Sequence, residues 1–151
     1  MTTFKLRPAA LADAPAVQAC VIKAFGHYVE RMGRKPAPME MDYEHEIREH
    51  QVFVVEQAGE LIGSLVLGIT AEGFLLDVLA VDPACWKRGV GRLMLEFAEA
   101  EAKRQGFDSI YLFTHETMTE NQLLYKKIGY VEYDRRLEMG RMRVYLRKPL
   151  E

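Results

Sequence analysis

The chain has 151 residues, 49% hydrophobic and 28% charged, and its 20 Lys plus Arg against 22 Asp plus Glu leave a formal net charge of -2. That length argues for one domain rather than two, and the apolar content excludes a disordered chain. The near-neutral charge offers no bulk field for a polyanion, so nucleic acid is not an expected partner.

Phe4 to Arg7 alternates apolar and basic residues as a short strand does, and Asp13 then offers a helix N-cap with Pro15 tolerated in the first turn. Val17, Val21, Phe25 and Tyr28 follow at helical spacing, and the two prolines of Met32 to Pro38 end that helix. A short polar helix is predicted around Asp42 to Glu49. Gln51 to Gln57 and Leu61 to Thr70 read as a hairpin around Ala58-Gly59-Glu60, and Phe74 to Val81 reads as a strand covered on both faces. A helix begins near Gly89, with Val90, Leu93, Met94, Phe97 and Ala98 on one side, and Gly106 suits its C-terminal cap.

Ser109 to Thr114 is the next strand, and Thr117-Met118-Thr119-Glu120 fits a capping box for a helix that runs to Lys127 and stops at Gly129. Tyr130 to Leu137 and Arg141 to Arg147 form a last strand pair, which would also suit a homodimer contact. The reading is α/β, with a mixed central sheet and flanking helices. The strand–helix–strand unit from Phe74 to Thr114 supplies a right-handed parallel crossover.

Cys20 and Cys85 are too few for a disulfide framework and lack metal-ligand spacing, so no metal site is expected and the thiols read as reduced, cytoplasmic residues. Cys85 has Lys87 and Arg88 close by, which would lower a thiol pKa, but no paired His is in view. Leu61 to Val81 is broken by Glu72 and Asp77 and cannot be a membrane span. Lys5 and Arg7 are followed by Pro8, Asp13 and Pro15, which leaves no apolar core of a signal peptide.

The sharpest local feature is Trp86-Lys87-Arg88-Gly89-Val90-Gly91-Arg92, between a buried strand and an amphipathic helix. Free N–H groups at the positive end of a helix dipole bind anions there, and glycines let the backbone approach a ligand closely. Lys87, Arg88 and Arg92 add charge, and a diphosphate fits such a bend. On spacing alone, a plain tight turn with a solvated basic patch fits as well. A P-loop is excluded because the Gly-Lys-Ser/Thr ending is absent, and a dinucleotide fingerprint because position 94 is Met.

These residues resemble the GCN5-related N-acetyltransferase (GNAT) superfamily, whose acetyl-CoA loop follows the fourth strand with a Gln/Arg-x-x-Gly-x-Gly/Ala pattern. Leu79-Ala80-Val81-Asp82-Pro83 is similar to the strand end, and Arg88-Gly89-Val90-Gly91-Arg92-Leu93-Met94 to the loop and helix start. Trp86 departs from the pattern, standing where the family usually has Gln or Arg. Asn121 to Tyr130 is similar to the family's Leu-Tyr-x-Lys-x-Gly-Phe segment. The resemblance spans essentially the whole chain, residues 1–151, as one N-acetyltransferase domain with a mixed, mostly antiparallel sheet.

It implies direct transfer of an acetyl group from acetyl-CoA, the co-substrate, to a primary amine of a small molecule or peptide. The alternative is a non-catalytic CoA-binding regulatory domain of the same fold. Cofactor contacts are expected from Leu79, Ala80, Val81, Lys87, Arg88, Gly89, Val90, Gly91, Arg92, Asn121 and Tyr125. An N–H near Leu79 to Val81 would face the thioester, and Tyr125 matches the family's general-acid position. Asp77, an acid within an apolar strand, is the first candidate for the base, with His115 and Glu116 as alternatives. By analogy with the family, Tyr28 to Tyr43, with Arg31, Asp42 and Tyr43, borders the acceptor side.

Overall fold

A computed structural model describes residues 3–151. Seven strands, β1 (Lys5–Pro8), β2 (Gln51–Gln57), β3 (Glu60–Thr70), β4 (Gly73–Val81), β5 (Ser109–His115), β6 (Val131–Glu138) and β7 (Arg141–Pro149), form one sheet in the order β1-β2-β3-β4-β5-β7-β6. Only β4 and β5 pair in parallel, so the sheet is mixed and mostly antiparallel, as expected. The helices are α1 (Ala14–Phe25), α2 (Tyr28–Met32), α3 (Tyr43–Glu49), α4 (Val90–Arg104) and α5 (Thr119–Lys127).

Each face of the sheet has its own core. Val17, Val21 and Tyr43 of α1 and α3 pack on Val54, Val66 and Val78. On the other face Val90, Met94 and Ala98 of α4 and Tyr125 of α5 pack on Leu65, Leu67, Phe74 and Ile110. Burial of each large apolar side chain contributes about 1.5–3 kcal/mol. Gly63 lets α4 lie close to β3, since a Cβ there would stand 3.1 Å from Val90 Cγ1 and 3.2 Å from Met94 Cε. The start of α4 is thereby pressed against the end of β4.

One irregularity shapes the centre. Val66 faces Val78, but Leu67 faces Leu76, so Asp77 is the extra residue of a β-bulge. The alternation of faces reverses at that point. Phe74 and Leu76 point to the α4 side, whereas Val78 and Ala80 point to the α1 side. Pairing of β4 with β5 covers only Phe74↔Ile110 to Leu76↔Leu112 and ends at the bulge, while β5 continues to His115 and β4 to Val81. The two strands therefore part, and a cleft opens between them.

Three local expectations are corrected. The first helix is two, α1 and α2, because the chain turns at Gly26-His27. Asp13 does not cap α1 with its side chain; its carboxylate accepts from the Ala10 N–H at 2.7 Å and from Arg7 at 2.8 Å, closing the short 3₁₀ turn Leu11–Asp13. The Thr117–Glu120 capping box does not form. The Thr117 hydroxyl pairs with His115 Nδ1, and Glu120 pairs with Arg31 of α2 instead. By contrast, Asp42 caps α3 through the N–H groups of Glu44 and His45.

Candidate active site

Two cavities meet at the cleft. One, of about 350 Å³, lies between α1, the end of β4 and the start of α4, and is lined by Trp86, Lys87, Gly89, Val90, Gly91 and Arg92. The other, of about 550 Å³, lies between the splayed strands and the segment from Met32 to His50, and is lined by Asp77, Glu46, His115, Arg141 and Arg143. Phe25, Leu79, Asn121 and Tyr125 line both. A ligand reaching from one cavity to the other must pass these four side chains.

The bend before α4 has the geometry of a ligand loop. Lys87 and Gly89 both adopt positive φ, 68° and 89°, and Gly89 is the N-cap of α4, its carbonyl accepting from the Leu93 N–H at 3.0 Å. A side chain at Gly89 would be strained by conformation. Gly91 is different. No positive φ holds it, and a Cβ there would meet only Val81 Cγ2 at 3.8 Å and Leu79 Cδ2 at 4.0 Å, an ordinary contact. The protein itself does not need glycine at 91, which favours close approach of a ligand over the plain tight turn. The helix start is open, with Lys87 and Arg92 at its rim, and such a start attracts an anion.

The hydrogen-bond phase of β4 fixes which backbone groups face the cleft. The Asp82 N–H donates to the Ile62 carbonyl at 2.9 Å, so Ala80 and Val78 also pair with β3, and the main-chain groups of Leu79 and Val81 point to the side that β5 has left. Trp86 corroborates this. Its indole Nε1–H donates to the Val81 carbonyl at 3.0 Å, while its ring meets His27 edge-on at 5.5 Å. Of the expected cofactor residues, Ala80 holds the strand to β3 and packs on the α1 side, and exposed Arg88 lines neither cavity.

Asp77, projecting from the bulge, has its carboxyl pushed up to about 6 by burial and then by nearby Glu46, with His50 and Arg143 opposing. Glu46 is itself buried, and its carboxylate pairs with His50 Nδ1 at 3.0 Å. Tyr125 is buried, edge-on to Tyr130, and burial pushes its hydroxyl up to about 12. His115 lines the larger cavity, but its Nδ1 accepts from the Thr117 N–H at 3.1 Å, so the neutral ring carries its proton on Nε2. Glu116 is exposed and lines neither cavity.

Part of the Tyr28 to Tyr43 segment lines the larger cavity, but Arg31, Asp42 and Tyr43 do not. Arg31 pairs with Glu120, Asp42 caps α3, and Tyr43 is buried with its hydroxyl donating to the Pro38 carbonyl at 2.6 Å. These three hold the strap, and its other residues, Met32, Pro36, Pro38, Glu40 and Met41, line the cavity. Sequence reading missed Phe25, Glu46, Arg141 and Arg143. Glu46 alone left a trace, as an acid three residues after an aromatic on a short helix.

The sequence matches the Acetyltransferase (GNAT) family over residues 22–130. The chain belongs to this family. It is an acetyl-CoA-dependent acetyltransferase. No curated protein matches the sequence. Among solved structures it is similar to the PaiA N-acetyltransferase of Thermoplasma acidophilum in complex with coenzyme A, at 17% identity, TM-score 0.82 and coverage of 97% of this chain and 99% of that one. It is similar to the ribosomal-protein-S18-alanine N-acetyltransferase of Escherichia coli, at 17% identity and TM-score 0.78, covering 99% and 95%. A GCN5-related N-acetyltransferase from Rhodopseudomonas palustris matches at 21% identity and TM-score 0.80, covering 99% and 98%. These likenesses concern the GNAT fold. Among the described residues no helix is long and apolar enough to cross a membrane.

Proposed function

We propose that this GNAT chain transfers acetyl directly to the amino group of a small molecule or peptide, with acetyl-CoA held in the smaller cavity and the amine in the larger. The observation that carries the reading is the junction of the two cavities at Leu79, Asn121 and Tyr125. Acetyl-CoA supplies an activated acetyl group as a thioester.

The chain's own residues then have three tasks. First, the amine must be neutral to attack, which for an amine of pKa about 10.4 costs roughly 4–5 kcal/mol at pH 7. Asp77 is the group suited to receive that proton, directly or through water, because burial has raised its basicity while it still ionises below neutral pH. Second, developing negative charge on oxygen calls for fixed donors, and the Leu79 and Val81 N–H groups point into the open side of β4. Third, the departing thiolate gains from a proton donor.

Tyr125 is protonated throughout the working range, since its hydroxyl is pushed up to about 12. A phenol that weak will not hand its proton completely to a thiolate of pKa near 8.5. Its contribution is a hydrogen bond that strengthens as the thiolate forms. A screen of amine acceptors that follows release of the CoA thiol tests the reading, and absence of turnover on every amine despite bound acetyl-CoA would overturn it.

A further inference from the structure

The larger cavity holds opposite charges on opposite walls. Its β4 and α3 wall carries the carboxyls of Asp77 and Glu46, and its far wall, at the start of β7, carries Arg141 and Arg143. Arg141 is 5% exposed, which is unusual for a guanidinium without full pairing. Its Nη2 donates to the Lys35 carbonyl at 3.0 Å and to Glu40 at 3.2 Å, but its buried Nε has no partner among the described residues. One of the five N–H donors of this guanidinium, that of Nε, is therefore unspent in a place where an unmade hydrogen bond is costly. Glu40, its one carboxylate partner, has a side chain 55% exposed and is easily displaced toward water. Arg143 adds a second cation, stacked 4.4 Å over the Phe113 ring and only 3.6 Å from Glu138.

Resting on the acetyl-transfer reading above, we propose that the acceptor is a small amino carboxylate, whose amine faces Asp77 and whose carboxylate is held by Arg141 with Arg143. A planar carboxylate accepting from a planar guanidinium is the pairing that uses such an unspent donor best. The body of the acceptor lies against Met32, Met41, Met118 and Phe113, so an apolar side chain suits the space between the charged walls. Chemistry at the amine is unchanged by this assignment. The C–N bond of the amide forms and the C–S bond of the thioester breaks; nitrogen loses two protons, the first from the ammonium to the base before attack and the second as the intermediate collapses, which passes by way of water to the thiolate, so that it leaves as the thiol.

The test uses the unaltered protein, so it does not depend on any variant folding. Free amino acids with apolar side chains are compared with their own carboxamides and with the corresponding decarboxylated amines, by release of CoA thiol, while acetyl-CoA binding is measured separately by calorimetry. The expected result is a kcat/KM roughly 10- to 100-fold higher for the free acid than for its carboxamide, carried by KM. The amide's amine is the more easily deprotonated of the two, so simple amine basicity works against this preference. Acetyl-CoA binding combined with equal or faster turnover of the uncharged partners, or with no turnover of any member, overturns the carboxylate assignment. Failure to bind acetyl-CoA instead sinks the reading beneath it. In Arg141→Gln the acid-over-amide preference falls toward unity, whereas a purely structural role would lower both rates together and leave the ratio intact.

Discussion

The two cavities on either side of Tyr125 are built in different ways. The smaller cavity, proposed above for acetyl-CoA, is closed by α1 and α5, but its loop is nearly continuous chain, Leu79 to Arg92, and what that loop offers is backbone: a helix start, two residues at positive φ and a glycine whose missing Cβ leaves room. The larger cavity, proposed for the acceptor, is assembled from α3, the β4 bulge, β5 and the β6–β7 turn, and it offers side chains of both charges among methionines. A backbone site can stay the same while side chains change around it; a side-chain site changes with each substitution. The acetyl donor is therefore a property of the fold, and the acceptor a property of this chain.

Perturbing the first side should have the largest effect. Gly89→Glu places a carboxylate and a strained side chain at the helix start, and acetyl-CoA binding by calorimetry is expected to disappear. Affinity unchanged from the parent would break the loop assignment. Asp77→Asn comes next and acts on the other side. Because Asp77 ionises at about 6, kcat/KM of the parent should rise with pH through that value as the carboxylate forms. The variant should lose that limb and roughly 100-fold in rate above it.

Asp77 also makes a stability prediction of opposite sign. Its folded pKa lies above the unfolded one, so the native state holds the extra proton between about pH 4 and 6 and loses stability as pH rises across that window. Above it the ionised group costs of order 2–3 kcal/mol, and Asp77→Asn should raise Tm at pH 7 while slowing catalysis. A variant that is both slower and less stable would mark Asp77 as a satisfied structural acid.

The same contrast explains what was legible in the sequence. Apolar runs, Ala58-Gly59 and Met139-Gly140 announced the strands, and the loop was readable because its parts are neighbours in the chain. The bulge was not. Asp77 was visible as an acid in an apolar strand, but the reversal of faces around it depends on its pairing with β3, which no local pattern encodes. Glu46, Arg141 and Arg143 escaped for a related reason, since each looks like an ordinary surface charge until the topology brings β7 and α3 to one cavity. Thr117 and Glu120 had the capping pattern, yet stronger partners, His115 and Arg31, took both side chains.

Tyr125→Phe sits at the junction and should be smaller in effect than loss of the base. Removing a hydrogen bond that matters mainly as the thiolate develops should lower kcat by about 10-fold, with acetyl-CoA affinity unchanged. An equal fall in affinity would place the hydroxyl in ground-state binding instead. No acid limb of the rate profile should move, because this hydroxyl titrates far above neutrality.

The smallest effect should come from Trp86, the only tryptophan in the chain and about half exposed beside the loop. Its indole N–H occupies the Val81 carbonyl on the open side of β4, so the family's usual side chain at this position is replaced by a group that closes a strand end. Trp86→Phe should change acetyl-CoA affinity by no more than about threefold, since one half-buried hydrogen bond contributes little net free energy. The same ring makes the binding visible: titrating the parent protein with acetyl-CoA should shift its tryptophan emission, and the Phe variant should bind without that signal. A silent titration, with binding still seen by calorimetry, would mean that the acetyl donor occupies the site without touching the Trp86 wall.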